Sequence, residues 1–235
     1  MKQNYNLLTS STAFPHAWNT FFQKSKTHAG SLLVVLFTLL GFSDAFAQIA
    51  QRGTATTATS NYSNTITITK PTGVVAGDIM IANITSIDDN ILSGNNANLA
   101  GWTFISAGNI DGNNKRRCTI LYKIAGAIEP ANYTFNVSNG TLFTDYTSGG
   151  IIAYSGVNNT TPFDVTPGTM SSGAGNPVTA TAITTVTANA AVIFLSALRR
   201  DDRVFDTWTT GTPSNLTLTE TYDYSPFSYP GIGSA

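Results

Sequence analysis

Histidine and cysteine are almost missing from this 235-residue chain, and each shortage removes a class of chemistry. Its two histidines, His16 and His28, both precede Gln48, so the rest of the chain carries no imidazole. That excludes a Ser-His-Asp or Cys-His nucleophile pair there, and His-ligated zinc or iron of the usual kind. The single cysteine, Cys118, allows no intrachain disulfide, so stability has to come from packing and strand pairing. It falls in the strand-like run Arg117-Cys-Thr-Ile-Leu-Tyr-Lys123 and reads as a small buried hydrophobe rather than a reactive thiol.

Charge is scarce too. Twelve basic and 13 acidic residues leave a net charge of −1, with no basic block to follow a phosphate backbone, so nucleic acid is not an expected partner. The first apolar run, Ser31 to Phe42, is about 12 residues long and is closed by Asp44, short of the roughly 20 a spanning helix needs. Lys24 and Lys26 precede it, and Ala45-Phe-Ala47 and Gln48 follow it. That is the order of a cleaved signal peptide, residues 1–47, which implies an extracellular or cell-surface protein with no stable membrane insertion after cleavage. Gln48 offers no site for the lipid-modified cysteine of a bacterial lipoprotein.

What the chain does have is strand pattern. Thr65-Ile-Thr-Ile-Thr69 and Tyr133-Thr-Phe-Asn-Val137 alternate, which sends Ile66, Ile68, Tyr133 and Phe135 to a buried face. Ile79–Ile84, Cys118–Ile124, Gly150–Tyr154 and Ala190–Leu198 are apolar nearly throughout and suit central strands covered on both sides. Turn signals separate these runs, among them Pro71-Thr-Gly73, Ala76-Gly-Asp78, Gly94-Asn-Asn96, Asp111-Gly-Asn113, Ser138-Asn-Gly140 and Pro167-Gly168. Short strands at that rhythm predict an all-β, antiparallel β-sandwich in one domain, residues 48–235, jelly-roll-like or Ig-like. Leu216–Tyr222 reads as a strand, and Tyr229–Ala235 as a turn with nothing following to pair, which suggests that the chain is a piece of a longer protein.

Four phrases, Thr67–Thr85, Gly101–Gly108, Cys118–Ser138 and Gly149–Asp164, taken in that order, resemble a loosely defined β-sandwich module. It occurs in secreted multidomain bacterial proteins, including Bacteroidota surface proteins, and in some phage-associated proteins. The resemblance implies a jelly-roll-like fold and an extracellular, often adhesive or architectural, setting, and it brings no catalytic residues. In its terms Gly77-Asp78 turns the chain into a core strand, Trp102 supplies core area, and Gly149-Gly150 opens another central strand.

The candidate sites each have a plainer reading. Asp88, Asp89 and Asp111 offer the hard oxygens that Ca²⁺ takes, the only cofactor suggested, but without EF-hand spacing they read first as solvated turn residues. Trp208, Tyr222, Tyr224, Phe227 and Tyr229 gather aromatics late in the chain, where exposed rings could stack on a sugar or where Trp208 and Tyr222 serve the core. Arg199 and Arg200, with Asp201, Asp202 and Arg203, could clamp an anion or pair among themselves in solvent. Glu129, Glu220, Asp201 and Asp202 are the acids available for a two-carboxylate glycosidase. Together these observations predict a non-catalytic adhesion or recognition module whose partners are surface glycans or other extracellular polymers. A polysaccharide-cleaving enzyme and a purely structural spacer are the alternatives.

Overall fold

Alternation builds the smallest sheet. β3 (Thr65–Thr69) pairs antiparallel with β7 (Asn132–Asn136), setting Ile66 opposite Phe135 and Ile68 opposite Tyr133. All four of those side chains are buried. On the other face Thr67 and Thr134 are exposed and joined by a 2.8 Å hydrogen bond between their hydroxyls. The computed structural model describes residues 48–86, 101–110, 116–137, 146–170, 179–199, 210, 218–226 and 229–235.

The continuous apolar runs form the centre of a larger sheet, as expected of strands covered on both faces. Its strands are β1 (Ala50–Gln51), β2 (Thr56–Asn61), β4 (Ile79–Ser86), β5 (Thr103–Asn109), β6 (Arg117–Ile124) and β8 (Tyr146–Ser155). They run β1-β8-β4-β6-β5, with β2 also on β8, and every pairing is antiparallel. One face of this sheet contributes Met80, Ala82, Ile84, Leu121, Ile151 and Ala153 to a core shared with β3, β7 and Trp102. The opposite face contributes Ile81, Cys118, Ile120 and Ile152. The chain is therefore an all-β, antiparallel sandwich, as predicted.

A third, three-stranded sheet covers the second face. Its strands are β9 (Leu195–Leu198), β10 (Tyr222–Tyr224) and β11 (Gly231–Ser234), in the order β10-β11-β9. Leu195, Ala197 and Tyr222 pack on the second core. Two adjacent glycines in β8 record how closely both layers approach. A Cβ on Gly149 would stand 2.7 Å from Ile68 Cδ1, and one on Gly150 3.2 Å from Ile232 Cδ1 and Tyr222 Cζ. Both glycines lie within β8 rather than opening it, because the strand begins at Tyr146.

Three strand expectations are corrected. The described residues of the Leu216–Tyr222 run before Tyr222 are not strand, and the strand there is Tyr222–Tyr224. Only Leu195–Leu198 of the Ala190–Leu198 run is a strand, and it is an edge of the small sheet, not a central strand of the large one. The Tyr229–Ala235 tail is more than a turn: Gly231–Ser234 is the buried middle strand of that sheet. β9 and β10 pair antiparallel with it on its two edges. Phe194 and Ala235 extend its ladder with reciprocal backbone hydrogen bonds of 2.7 and 3.0 Å. The turns predicted at 94–96, 111–113 and 138–140 lie outside the described residues.

The entry into β4 is locked by charge. Gly77, at φ +89°, makes the turn, and the buried Asp78 carboxylate accepts from the Val75 N–H at 2.9 Å. Arg52 grips the same carboxylate with two nitrogens, at 2.9 and 3.2 Å, which ties the segment after β1 to the start of β4. A fork of this kind fixes geometry as well as charge. Residues 47–235 form one compact unit, and no helix occurs among the described residues.

Candidate functional site

At one end of β2 and β8 the fold brings three tyrosines together. β2 ends at Asn61, and the chain crosses to β3 through Tyr62, whose φ is +49°. The Ser60 hydroxyl donates to the Thr65 carbonyl at 2.6 Å, and the Thr65 N–H donates to the Ser63 hydroxyl at 3.2 Å. These bonds hold the turn. A left-handed conformation costs a non-glycine residue on the order of 1–3 kcal/mol, and such strain concentrates at functional positions. Tyr62 is also 56% exposed, so no core contact offsets the strain.

Tyr146 begins β8 directly opposite Asn61 in the β2–β8 register. Its ring lies 5.4 Å from that of Tyr62 at 51°, and their hydroxyls meet at 3.4 Å. Tyr229, held in a turn by its N–H to the Pro226 carbonyl at 3.0 Å, also packs on Tyr146, at 4.6 Å and 59°. The Tyr62 hydrogen bond holds the Tyr146 phenol above its ordinary pKa, with Tyr62 and Tyr229 beside it adding to the effect. Tyrosine supplies wide, rigid contact area at low entropic cost, with a hydroxyl at its tip. Three together on strand ends and loops make an uncharged platform for stacking.

No family model, curated protein or solved structure matches the chain. The platform and its surroundings therefore have to be read from this chain's own residues.

Of the candidates taken from the sequence, Tyr229 joins the platform. Tyr222 does not: it packs between the large sheet and the third sheet, where burial holds its phenol well above the ordinary range. Tyr224 is half-buried opposite Ile232. Arg199 is exposed, and its carbonyl accepts from Arg116 at 3.1 Å. Trp208, Arg200, Asp88, Asp89 and Asp111 lie outside the described residues, as do Phe227, Asp201 and Asp202. No cluster of three His, Cys, Asp or Glu side chains suited to a metal occurs among the described residues.

The remaining acids stand apart from the platform. Glu129 accepts from the Gly126 N–H and the Tyr133 hydroxyl, each at 2.7 Å, and pairs with Lys123 at 3.5 Å. Burial pushes its pKa up, but the Gly126 N–H, Tyr133 and Lys123 together hold it below the ordinary range. Glu220 is exposed. Cys118 is buried as predicted: desolvation pushes its thiol up to about 12, and the thiol donates to the Asn83 carbonyl oxygen at 2.9 Å.

Tyr62 and Tyr146 were not among the sequence candidates. Tyr62 left a local trace, an aromatic inside the turn-like Asn61-Tyr-Ser-Asn64 between two strand patterns. Tyr146 left none, because only strand register sets it beside a residue 84 positions earlier.

Proposed function

We propose that this chain is a non-catalytic recognition module of an exported bacterial surface or secreted protein, and that the tyrosine platform holds a neutral glycan. The observation that carries the reading is Tyr62, strained at φ +49° and 56% exposed, in ring contact with Tyr146. A strained, solvent-facing aromatic adds nothing to the core, whereas a sugar presents C–H faces to such rings and hydroxyls to their phenol tips. Ring faces and hydroxyl tips offer apolar contact and hydrogen bonds but no ion-pair partner, which suits an uncharged ligand. Placement on loop and strand ends suits recognition, since binding residues concentrate on loops held by a rigid scaffold.

A carboxylate hydrolase draws less support. Both Glu129 oxygens are already engaged by the chain's own donors. Affinity electrophoresis through gels containing neutral polysaccharides tests the reading. Retardation is expected, with Tyr146→Ala weakening it roughly three- to tenfold, the scale of one lost aromatic contact. Undiminished retardation of that variant would remove the platform from the function. Release of new reducing ends, abolished by changing Glu129 or Glu220, would replace the module reading with an enzyme.

A further inference from the structure

No intrachain disulfide can brace this chain, because Cys118 is its one cysteine, and it is buried. The tyrosine cluster offers a different covalent brace. Tyr62 meets Tyr146 across 84 positions of sequence, with their hydroxyls at 3.4 Å and their ring centres at 5.4 Å. Since the hydroxyls stand closer than the ring centres, the two rings converge toward their hydroxyl ends. The ring carbons ortho to each hydroxyl lie at that same end.

Access sets this pair apart from the other tyrosines. Tyr62 is 56% exposed, the most of any tyrosine among the described residues. Tyr133 is buried, and Tyr222 packs between two sheets. Tyr122 stands edge-on to Phe163 at 4.9 Å, a ring with no hydroxyl to oxidise. The pair is also held in place. Tyr146 starts β8 opposite Asn61, and the bond from the Ser60 hydroxyl to the Thr65 carbonyl fixes the turn that carries Tyr62. Two groups held in contact react as if at very high local concentration, so coupling within one chain outruns coupling between chains.

We propose that Tyr62 and Tyr146 are a site of oxidative cross-linking, joined by a carbon–carbon bond between their rings when the chain meets a haem peroxidase and hydrogen peroxide. The oxidant removes one electron and one proton from each phenol. The two phenoxyl radicals form a bond between ortho carbons, and the two ortho hydrogens move to the oxygens as the rings regain aromaticity. In all, two hydrogens leave the protein and one peroxide is reduced to two waters. The link ties the turn after β2 to the start of β8. Like a disulfide, it restricts the unfolded chain more the longer the loop it closes. The inference uses the rings of the platform but does not rest on the glycan reading.

The test is to treat the full chain at high dilution with a haem peroxidase and hydrogen peroxide, isolate the monomer by size exclusion, and map linked peptides by mass spectrometry. The expected result is dityrosine fluorescence in the monomer, a peptide pair joining Tyr62 to Tyr146 at two hydrogens below the summed mass, and a melting temperature above that of the unlinked chain. Tyr62→Phe and Tyr146→Phe, which keep the rings in place, are each expected to lower monomer dityrosine about tenfold or more. Tyr122→Phe should leave it unchanged. Dityrosine confined to linked dimers, a monomer link joining other tyrosines, or no coupling in the wild-type chain would overturn the proposal. The mass map decides the cross-link and gel retardation decides the glycan, so the failure of one is distinguishable from the failure of the other.

Discussion

Toward β3 and β7 the six-stranded sheet presents Met80, Ala82, Ile84, Leu121 and Ile151, whereas toward β9–β11 the same strands present Ile81, Asn83, Cys118, Ile120 and Ile152. The first interface is mostly hydrocarbon interlocked with hydrocarbon, with one buried polar group, the Trp102 indole N–H, that has no partner among the described residues. In the second, the fully buried Asn83 donates to the Ser196 carbonyl at 2.8 Å and accepts from the Cys118 thiol at 2.9 Å. The hydroxyls of Ser196 and Ser234 are buried in the third sheet without a partner among the described residues. An unmade hydrogen bond at a buried group costs about 1–3 kcal/mol, so the second interface gains less per residue than the first. The contrast teaches that one sheet can be bonded on one side by packing and on the other by a polar register. The third sheet is expected to open at lower free energy than the β3–β7 layer, as a separate local unit.

Substitutions can break this comparison. Phe135→Ala, on the dry side, is expected to cost about 3–5 kcal/mol in urea unfolding, through lost transfer energy and a residual cavity. If Ile232→Ala, on the polar side, cost as much or more, the ranking of the interfaces would be reversed. Asn83→Leu keeps the volume similar but strips the Ser196 carbonyl of its donor and the Cys118 thiol of its acceptor, with an expected loss of about 1–3 kcal/mol. A more stable Asn83→Leu variant would mean that the polar register is dispensable.

The rim of the dry interface sharpens the contrast. The Glu129 carboxyl is held below its ordinary pKa in the folded chain, so its contribution is complete above the unfolded value of about 4.3 and fades as pH falls through the lower folded value. Glu129→Gln is therefore expected to flatten the acid limb of a melting-temperature profile below about pH 4.3 and leave its shape at pH 7 unchanged. An unaltered acid limb would show that this carboxylate is not coupled to folding. The smallest effect is expected at Tyr62→Asn, since asparagine tolerates positive φ. Thermal stability should rise by up to about 1 kcal/mol while polysaccharide binding falls. A drop in stability would mean that the Tyr62 ring supports the fold instead of binding.

Much of the dry interface was legible in the sequence because side-chain period and burial coincide there. Ile66 and Ile68 alternate with exposed threonines, and Tyr133 and Phe135 do the same. The uninterrupted apolar runs of β4, β6 and β8 announced strands covered on both faces. The polar interface was not legible. β11 reads Gly-Ile-Gly-Ser, with no strand propensity apart from Ile232, and it forms because both its edges pair, with β10 and β9. A Cβ at Gly231 would already stand 3.0 Å from the Ser225 hydroxyl. The late aromatics divided: Tyr222 packs over Gly150, while the half-buried Tyr229 packs on Tyr146. The tyrosine platform was hidden because its members come from three distant parts of the chain that only the tertiary fold brings together.

The reading of that platform as the binding surface meets its most direct test in backbone-amide chemical-shift mapping of the chain with a neutral oligosaccharide that retards it in gels. The expected result is a set of saturable changes centred on Asn61–Asn64, Tyr146 and Tyr229, lost in Tyr146→Ala. Changes confined to another part of the surface, or a Tyr146→Ala variant that binds as the wild type does, would contradict it.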